Sequence, residues 1–187
     1  ILAQLGCDLG RCLIVQDPTV QAATRWLLRA STDLMGGPLE NLPVLDMCAA
    51  PGGKSARLAV AWPGNGKIVA MDNRPFRVGL LKGTVKRTGL SRIEVMAADG
   101  LASPFPEGHF GAVLLDGPCS GTGVMRHHPD GRWSLSNRKP GRNGRILRKL
   151  ATGAIDLLAP GGLLLYATCS LEPLENEVVL DKLLAER

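Results

Sequence analysis

Aromatic side chains are scarce, at 4% of the 187 residues, so the chain lacks the stacking surface on which single-stranded nucleic-acid platforms lay their bases. Apolar runs are short, and none approaches the roughly 20 residues needed to span a bilayer. The opening Ile1-Leu2-Ala3-Gln4-Leu5 carries no basic region, and a secretory leader is not expected there. A first residue other than methionine reads as a fragment of a longer protein. Cys7, Cys12, Cys48, Cys119 and Cys169 contain no Cys-x-x-Cys pair. An odd, dispersed set argues for reduced thiols in the cytoplasm, not for a disulfide framework or a zinc site. His109, His127 and His128 also lack zinc-ligand spacing, and no metal is expected.

What is present fits one soluble globular domain over residues 1–187, large enough to bury a core without disulfides. The net charge is +5, and it is concentrated. Between Arg126 and Lys149 eight arginines and lysines stand against the single acid Asp130, leaving the rest of the chain slightly acidic. Such a segment is the footprint of a polyanion partner, or else a solvated loop.

The organising stretch is Val44-Leu45-Asp46-Met47-Cys48-Ala49-Ala50-Pro51-Gly52-Gly53-Lys54-Ser55. A short apolar strand turns through small residues into a helix, the shape of a nucleotide cradle. Gly53-Lys54-Ser55 matches the end of a P-loop, but Cys48 stands where that motif needs its first glycine, so a nucleoside triphosphatase is disfavoured.

Residues 1–17 read as a connector with an extended piece at Cys12 to Gln16. Pro18 then opens a helix with Val20, Ala23, Trp26, Leu27 and Ala30 at helical period, Trp26 being taken as core. The cradle helix is expected over Ser55 to Ala61, and strands over Lys67 to Met71, Ile93 to Ala97, Ala112 to Leu115 and Leu163 to Ala167. A basic connector with Pro129 and Pro140 precedes a helix from Arg145 to Leu158. Pro160-Gly161-Gly162 reads as a break, and a last helix as Leu174 to Glu186. Strands alternating with helices imply an α/β fold with a doubly wound, mostly parallel sheet. Its carboxyl edge then collects the cradle, Asp72, Asp99, Asp116, Cys119 and Cys169. Asp72, closing the second strand, is placed to accept hydrogen bonds from ribose hydroxyls or to cap a helix.

Three motifs in order, Asp46 to Lys54, Asp116-Gly117-Pro118-Cys119-Ser120-Gly121-Thr122-Gly123 and Tyr166-Ala167-Thr168-Cys169-Ser170, resemble the signatures of the Sun-family RNA cytosine-5 methyltransferases. Leu13 to Asp17, Arg126 to Asp130 and Glu175-Asn176-Glu177 resemble further landmarks of that family. The resemblance implies a Rossmann-like catalytic domain, without the terminal antiparallel strands and the amino-terminal RNA-binding domain of ribosomal-type relatives. It implies S-adenosylmethionine held by Cys48, Ala49, Ala50, Pro51, Gly52, Gly53, Lys54, Asp72, Asp99 and Asp116. It further implies Cys169 as nucleophile, Cys119 as the thiol that helps release product, and Asp116 with Lys54 near the base. The implied substrate is small-subunit (16S) ribosomal RNA, with transfer RNA as an alternative. Two thiols suit that chemistry, because a thiolate added to carbon 6 of cytosine makes carbon 5 nucleophilic, and a second group assists release. Two rivals are a DNA-type mechanism, in which Pro118-Cys119 supplies the nucleophile, and a non-catalytic S-adenosylmethionine or RNA-binding module.

Overall fold

Val44, Leu45 and Asp46 are all buried, and they form the strand on which the sheet is centred. In the computed structural model, described over residues 14, 16, 18–32, 37, 39–127, 129, 130, 133 and 139–186, the elements are α1 (Pro18–Thr32), β1 (Val44–Asp46), α2 (Gly53–Ala61), β2 (Ile68–Asp72), α3 (Pro75–Thr88), β3 (Ile93–Ala97), β4 (Phe110–Asp116), α4 (Lys139–Asp156), β5 (Leu158–Ala167) and α5 (Glu177–Ala185). All the strand pairs are parallel, in the order β3-β2-β1-β4-β5. Chain order runs outward from β1 on one side and resumes at β4 on the other, so the switch point lies between β1 and β4.

The interior strands are buried on both faces, and each face has its own core. Leu45, Met47, Val69, Met71, Val113 and Leu115 pack towards α4 and α5. Val44, Ile68, Ala70, Ala112 and Leu114 pack towards α1, α2 and α3. Each fully buried leucine contributes about 1.5–3 kcal/mol of transfer free energy, which fixes which face each residue takes.

The strands lie where their β-branched and apolar runs place them, but four expectations change. Trp26 is 70% exposed, not core; the buried stripe of α1 is Thr24, Leu27 and Ser31. Thr24 and Ser31 tolerate burial because their hydroxyls donate to the carbonyls of Gln21 and Leu28. Helix α4 starts at Lys139, six residues before Arg145. Pro140 sits in its first turn, where no N–H is required, and Gly144 lets the backbone pass close to a neighbour: a Cβ there would lie 2.1 Å from the Leu174 carbonyl oxygen. Pro160-Gly161-Gly162 does not break the strand but falls inside β5, an edge strand whose register against β4 shifts between Phe110 and Ala112. Gly161 has φ +80°, and an edge strand accepts a proline. The last helix is split into a 3-10 turn, Pro173–Glu175, and α5. Of the extended piece at residues 12–16, Ile14 and Gln16 are described and belong to no strand; Cys7, Cys12, His128, Arg132 and Arg138 lie outside the described residues.

Candidate active site at the carboxyl edge of the sheet

The loop after β1 is tied to both neighbouring strands, with Met47 N–H donating to Leu114 O and Ala49 N–H to Met71 O, each at 2.9 Å. Beneath it Asp46 is buried, and Ser55 Oγ donates to its Oδ2 at 2.6 Å. Burial drives the Asp46 carboxyl up to about 6, with the Ser55 bond opposing the rise. Gly52 takes φ +105°, a region that favours glycine, and a Cβ there would meet Leu81 Cδ1 at 2.8 Å. From α3, Arg77 Nη2 donates to Ala50 O at 2.6 Å and Thr84 Oγ1 to Pro51 O at 2.7 Å. Ala49, Ala50, Pro51, Gly52 and Gly53 thus form a small-residue turn whose carbonyls are held from behind, leading into the amino terminus of α2.

Three carboxylates follow at successive strand ends. Asp72 is 4% exposed; its Oδ1 accepts from Arg74 N–H at 3.1 Å, and Arg77 Nε lies 3.3 Å from Oδ2. Oδ2 has no hydrogen-bond partner. Asp72 therefore holds the entry to α3 through Oδ1, while Oδ2, beside Arg77, keeps acceptor capacity that a ligand hydroxyl could use. Asp99 Oδ1 accepts from Leu101 N–H at 3.0 Å. Asp116 closes β4 and is ion-paired through Oδ2 with Lys54 Nζ, bridging the switch point. The orphaned Asp72 oxygen and the glycine cradle are what an adenosyl group bearing a vicinal diol requires, so these residues fit S-adenosylmethionine.

On the other side of the switch point the two thiols meet. Cys119 Sγ and Cys169 Sγ are 2.7 Å apart, and Cys169 N–H donates to Cys119 Sγ at 3.3 Å. They hang from adjacent strands whose last paired residues are Asp116 and Ala167. The bond from the Cys169 thiol lowers Cys119 to about 7 against burial, and donating that proton pushes Cys169 up. Cys48, by contrast, is pushed up to about 12 by burial and nearby carboxylates, so it remains a neutral thiol. The two thiols therefore titrate as a pair, in which one sulfur ionises while the other keeps the proton between them.

One cleft of about 1340 Å³ joins these groups: Cys48, Lys54, Asp72, Asp99, Asp116, Cys119 and Cys169 all line it. From the basic segment, Lys139, Arg142 and Arg145 also line it. Arg148 is paired with Glu186 at 2.5 Å. Sequence reasoning missed Arg77, which touches both Asp72 and the cradle. It also missed the role of Glu175, whose partners Ser120 and Asn143 lie far away in sequence. Among the described residues no group of three or more His, Cys, Asp or Glu side chains is arranged to hold a metal ion, and no helix is long and apolar enough to cross a membrane.

Comparison with known proteins agrees with this geometry. Residues 34–187 match the family model described as 16S rRNA methyltransferase RsmB/F. Ribosomal RNA small subunit methyltransferase B of Klebsiella pneumoniae is 35% identical over 176 residues, covering 91% of this chain and 38% of its own length. Ribosomal RNA small subunit methyltransferase F of Escherichia coli (strain SE11) is 40% identical over 147 residues, covering 75% of this chain and 30% of its own. The chain thus spans under two fifths of these curated relatives. The crystal structure of NSun6 from Pyrococcus horikoshii with SFG superposes with a TM-score of 0.80 at 25% identity, covering 100% of this chain and 45% of that one. With the parallel sheet, the cradle and the family match in agreement, the chain belongs to the 16S rRNA methyltransferase RsmB/F family of S-adenosylmethionine-dependent methyltransferases.

Proposed function

We propose that this chain is the catalytic domain of an enzyme that methylates carbon 5 of a cytosine in 16S ribosomal RNA through a covalent cysteine adduct. The observation that carries the reading is the thiol pair, 2.7 Å apart, in the same cleft as the cradle and the Lys54–Asp116 ion pair. When bound, S-adenosylmethionine supplies an electrophilic methyl group. Asp72 and Asp99 would hold its ribose and adenine end, and Cys48 to Lys54 its remaining length. In the cleft Asp116, oriented by Lys54, accepts from the amino edge of the base. Cys169 Sγ adds to carbon 6 while its proton passes to the Cys119 thiolate, so no free Cys169 thiolate has to persist. After methyl transfer the Cys119 thiolate, its proton given up to solvent, takes the carbon 5 proton, and the carbon–sulfur bond breaks, returning the electron pair to Cys169. Lys139, Arg142 and Arg145 face the cleft as phosphate contacts.

The lower ionisation of Cys119 favours a second reading, in which Cys119 attacks and Cys169 acts as its acid. Trapping on RNA with the full-length enzyme separates the two. If Cys169 attacks, Cys169→Ser loses both turnover and attachment, whereas Cys119→Ser accumulates a denaturant-resistant protein–RNA band. The reverse pattern assigns the attack to Cys119, and two variants that still turn over overturn the covalent mechanism. Loss of 5-methylcytosine from 16S ribosomal RNA, and not from transfer RNA, in cells lacking the gene tests the substrate.

A further inference from the structure

Glu175 is a fully buried carboxylate that the chemistry above does not use. It accepts from Ser120 N–H through both oxygens, at 2.9 and 3.1 Å, from Ser120 Oγ at 2.6 Å and from Asn143 Nδ2 at 2.8 Å. Burial pushes this carboxyl up, but the bonds from Ser120, Ser170 and Asn143 outweigh it and hold it below the ordinary glutamate value. An ionised carboxylate only accepts, and that fixes the direction of every hydroxyl behind it. Ser120 gives its proton to Glu175, so across the 3.0 Å contact with Ser170 Oγ it can only accept, and the single Ser170 proton is directed at the Ser120–Glu175 pair. Ser170 Oγ then lies 3.3 Å from Thr122 Oγ1, which accepts from Leu171 N–H.

Ser120 follows Cys119 and Ser170 follows Cys169. The relay therefore joins the two cysteine-bearing loops immediately behind their thiols, with its polarity set at one end by a single charge. Asn176, next in sequence, holds the Cys169 loop from the other side: its Nδ2 donates to Ser170 O at 2.9 Å and its Oδ1 accepts from Thr168 Oγ1 at 2.6 Å. A buried carboxylate would be costly if its only task were to fill space, since an apolar side chain of similar volume fills it without desolvating a charge. We propose that Glu175 is a positioning residue that sets the separation of the Cys119 and Cys169 thiols, acting through Ser120 and Ser170. The proposal rests on the reading of both thiols as working groups.

The test uses the full-length enzyme and reads thiol geometry apart from methyl transfer. One protein thiolate attacks a sulfur of oxidised glutathione, expelling the first glutathione thiol and leaving a mixed disulfide; the second protein thiol then attacks the protein sulfur of that disulfide and expels the second glutathione, so two thiols become one protein disulfide. The rate of the second step measures how often Cys119 and Cys169 meet. Glu175→Gln keeps the shape but turns an N–H₂ towards donors that need an acceptor. It should slow closure at least tenfold, leave the Kd for S-adenosylmethionine within twofold, and lower kcat for RNA with KM for S-adenosylmethionine unchanged. Glu175→Asp, which restores the charge, should recover part of the closure rate. Closure at the wild-type rate in Glu175→Gln overturns the proposal. If Glu175→Gln loses S-adenosylmethionine binding, its fold has changed and Ser120→Ala takes its place: closure slowed severalfold supports the relay, and an unchanged rate overturns it. Wild-type enzyme that closes the disulfide but never methylates RNA counts against the proposed function and leaves the positioning role standing.

Discussion

Replacing Cys169 with alanine should raise the pH at which Cys119 ionises. Cys119 is lowered from 9.0 to about 7, chiefly by the bond from the Cys169 thiol, against burial and with help from the Cys169 and Gly121 backbone. Alanine deletes the leading contribution and keeps the N–H of residue 169, which lies 3.3 Å from Cys119 Sγ. The midpoint should rise by at least about one unit, which takes the thiolate fraction at pH 7 from about one half to about one tenth. Alkylation follows the thiolate, so peptide-resolved iodoacetamide labelling across about pH 5.5 to about pH 9.5 reads the midpoint directly. Cys48, pushed up to about 12, is the internal control and should stay unlabelled in both proteins. A Cys119 midpoint that does not move in Cys169→Ala would refute the claim that the second thiol is what makes the first acidic.

Asp46 carries a pH signature of opposite sense to a surface carboxylate. Its folded value of about 6 lies above the ordinary 3.8, so the native state binds more protons between those values and stability falls as pH rises through them. Relative to Asp46→Asn, the wild type should lose about 2 kcal/mol between pH 4 and pH 7 in urea unfolding; parallel curves would place the charge elsewhere. Asp72→Asn should weaken S-adenosylmethionine binding about tenfold in calorimetry, the worth of a hydrogen bond to a charged acceptor. Equal affinities would remove Asp72 from the ribose role. Arg142→Gln with Arg145→Gln should flatten the salt dependence of RNA binding by roughly 0.7 in logarithmic slope for each phosphate no longer neutralised, whereas an unchanged slope would make the pair solvated surface.

The sheet and its active edge were legible because buried parallel strands leave short apolar runs, each stopped by the acid or glycine that follows: Asp46, Asp72 and Asp116 are all final strand residues. Pro140 and Gly144 read as a loop because composition records propensity, not neighbours. In space the proline occupies a first helical turn, and the glycine admits the Leu174 carbonyl. Pro160-Gly161-Gly162 misled for a similar reason, since an edge strand can lose a donor and gain a bulge without ending. Trp26 misled because size suggested burial, while two hydroxyls that bond back to their own helix took the inward face. Glu175 could be placed in a motif by resemblance, but its partners are 55 and 32 residues away, and only the fold brings them together.

The bare crossing at Gly144 has a mechanical consequence. Where helix backbone lies against the Leu174 carbonyl with no side chain between, no rotamer can yield, and a displacement of one segment is handed to the other nearly undiminished. The residues around that crossing are Arg142 and Arg145, which face the cleft, and Asn143, which grips Glu175. On the proposed reading, in which Arg142 and Arg145 hold RNA phosphates, a pull on this turn of α4 would reach the loops carrying the sulfur atoms through Asn143 and Glu175.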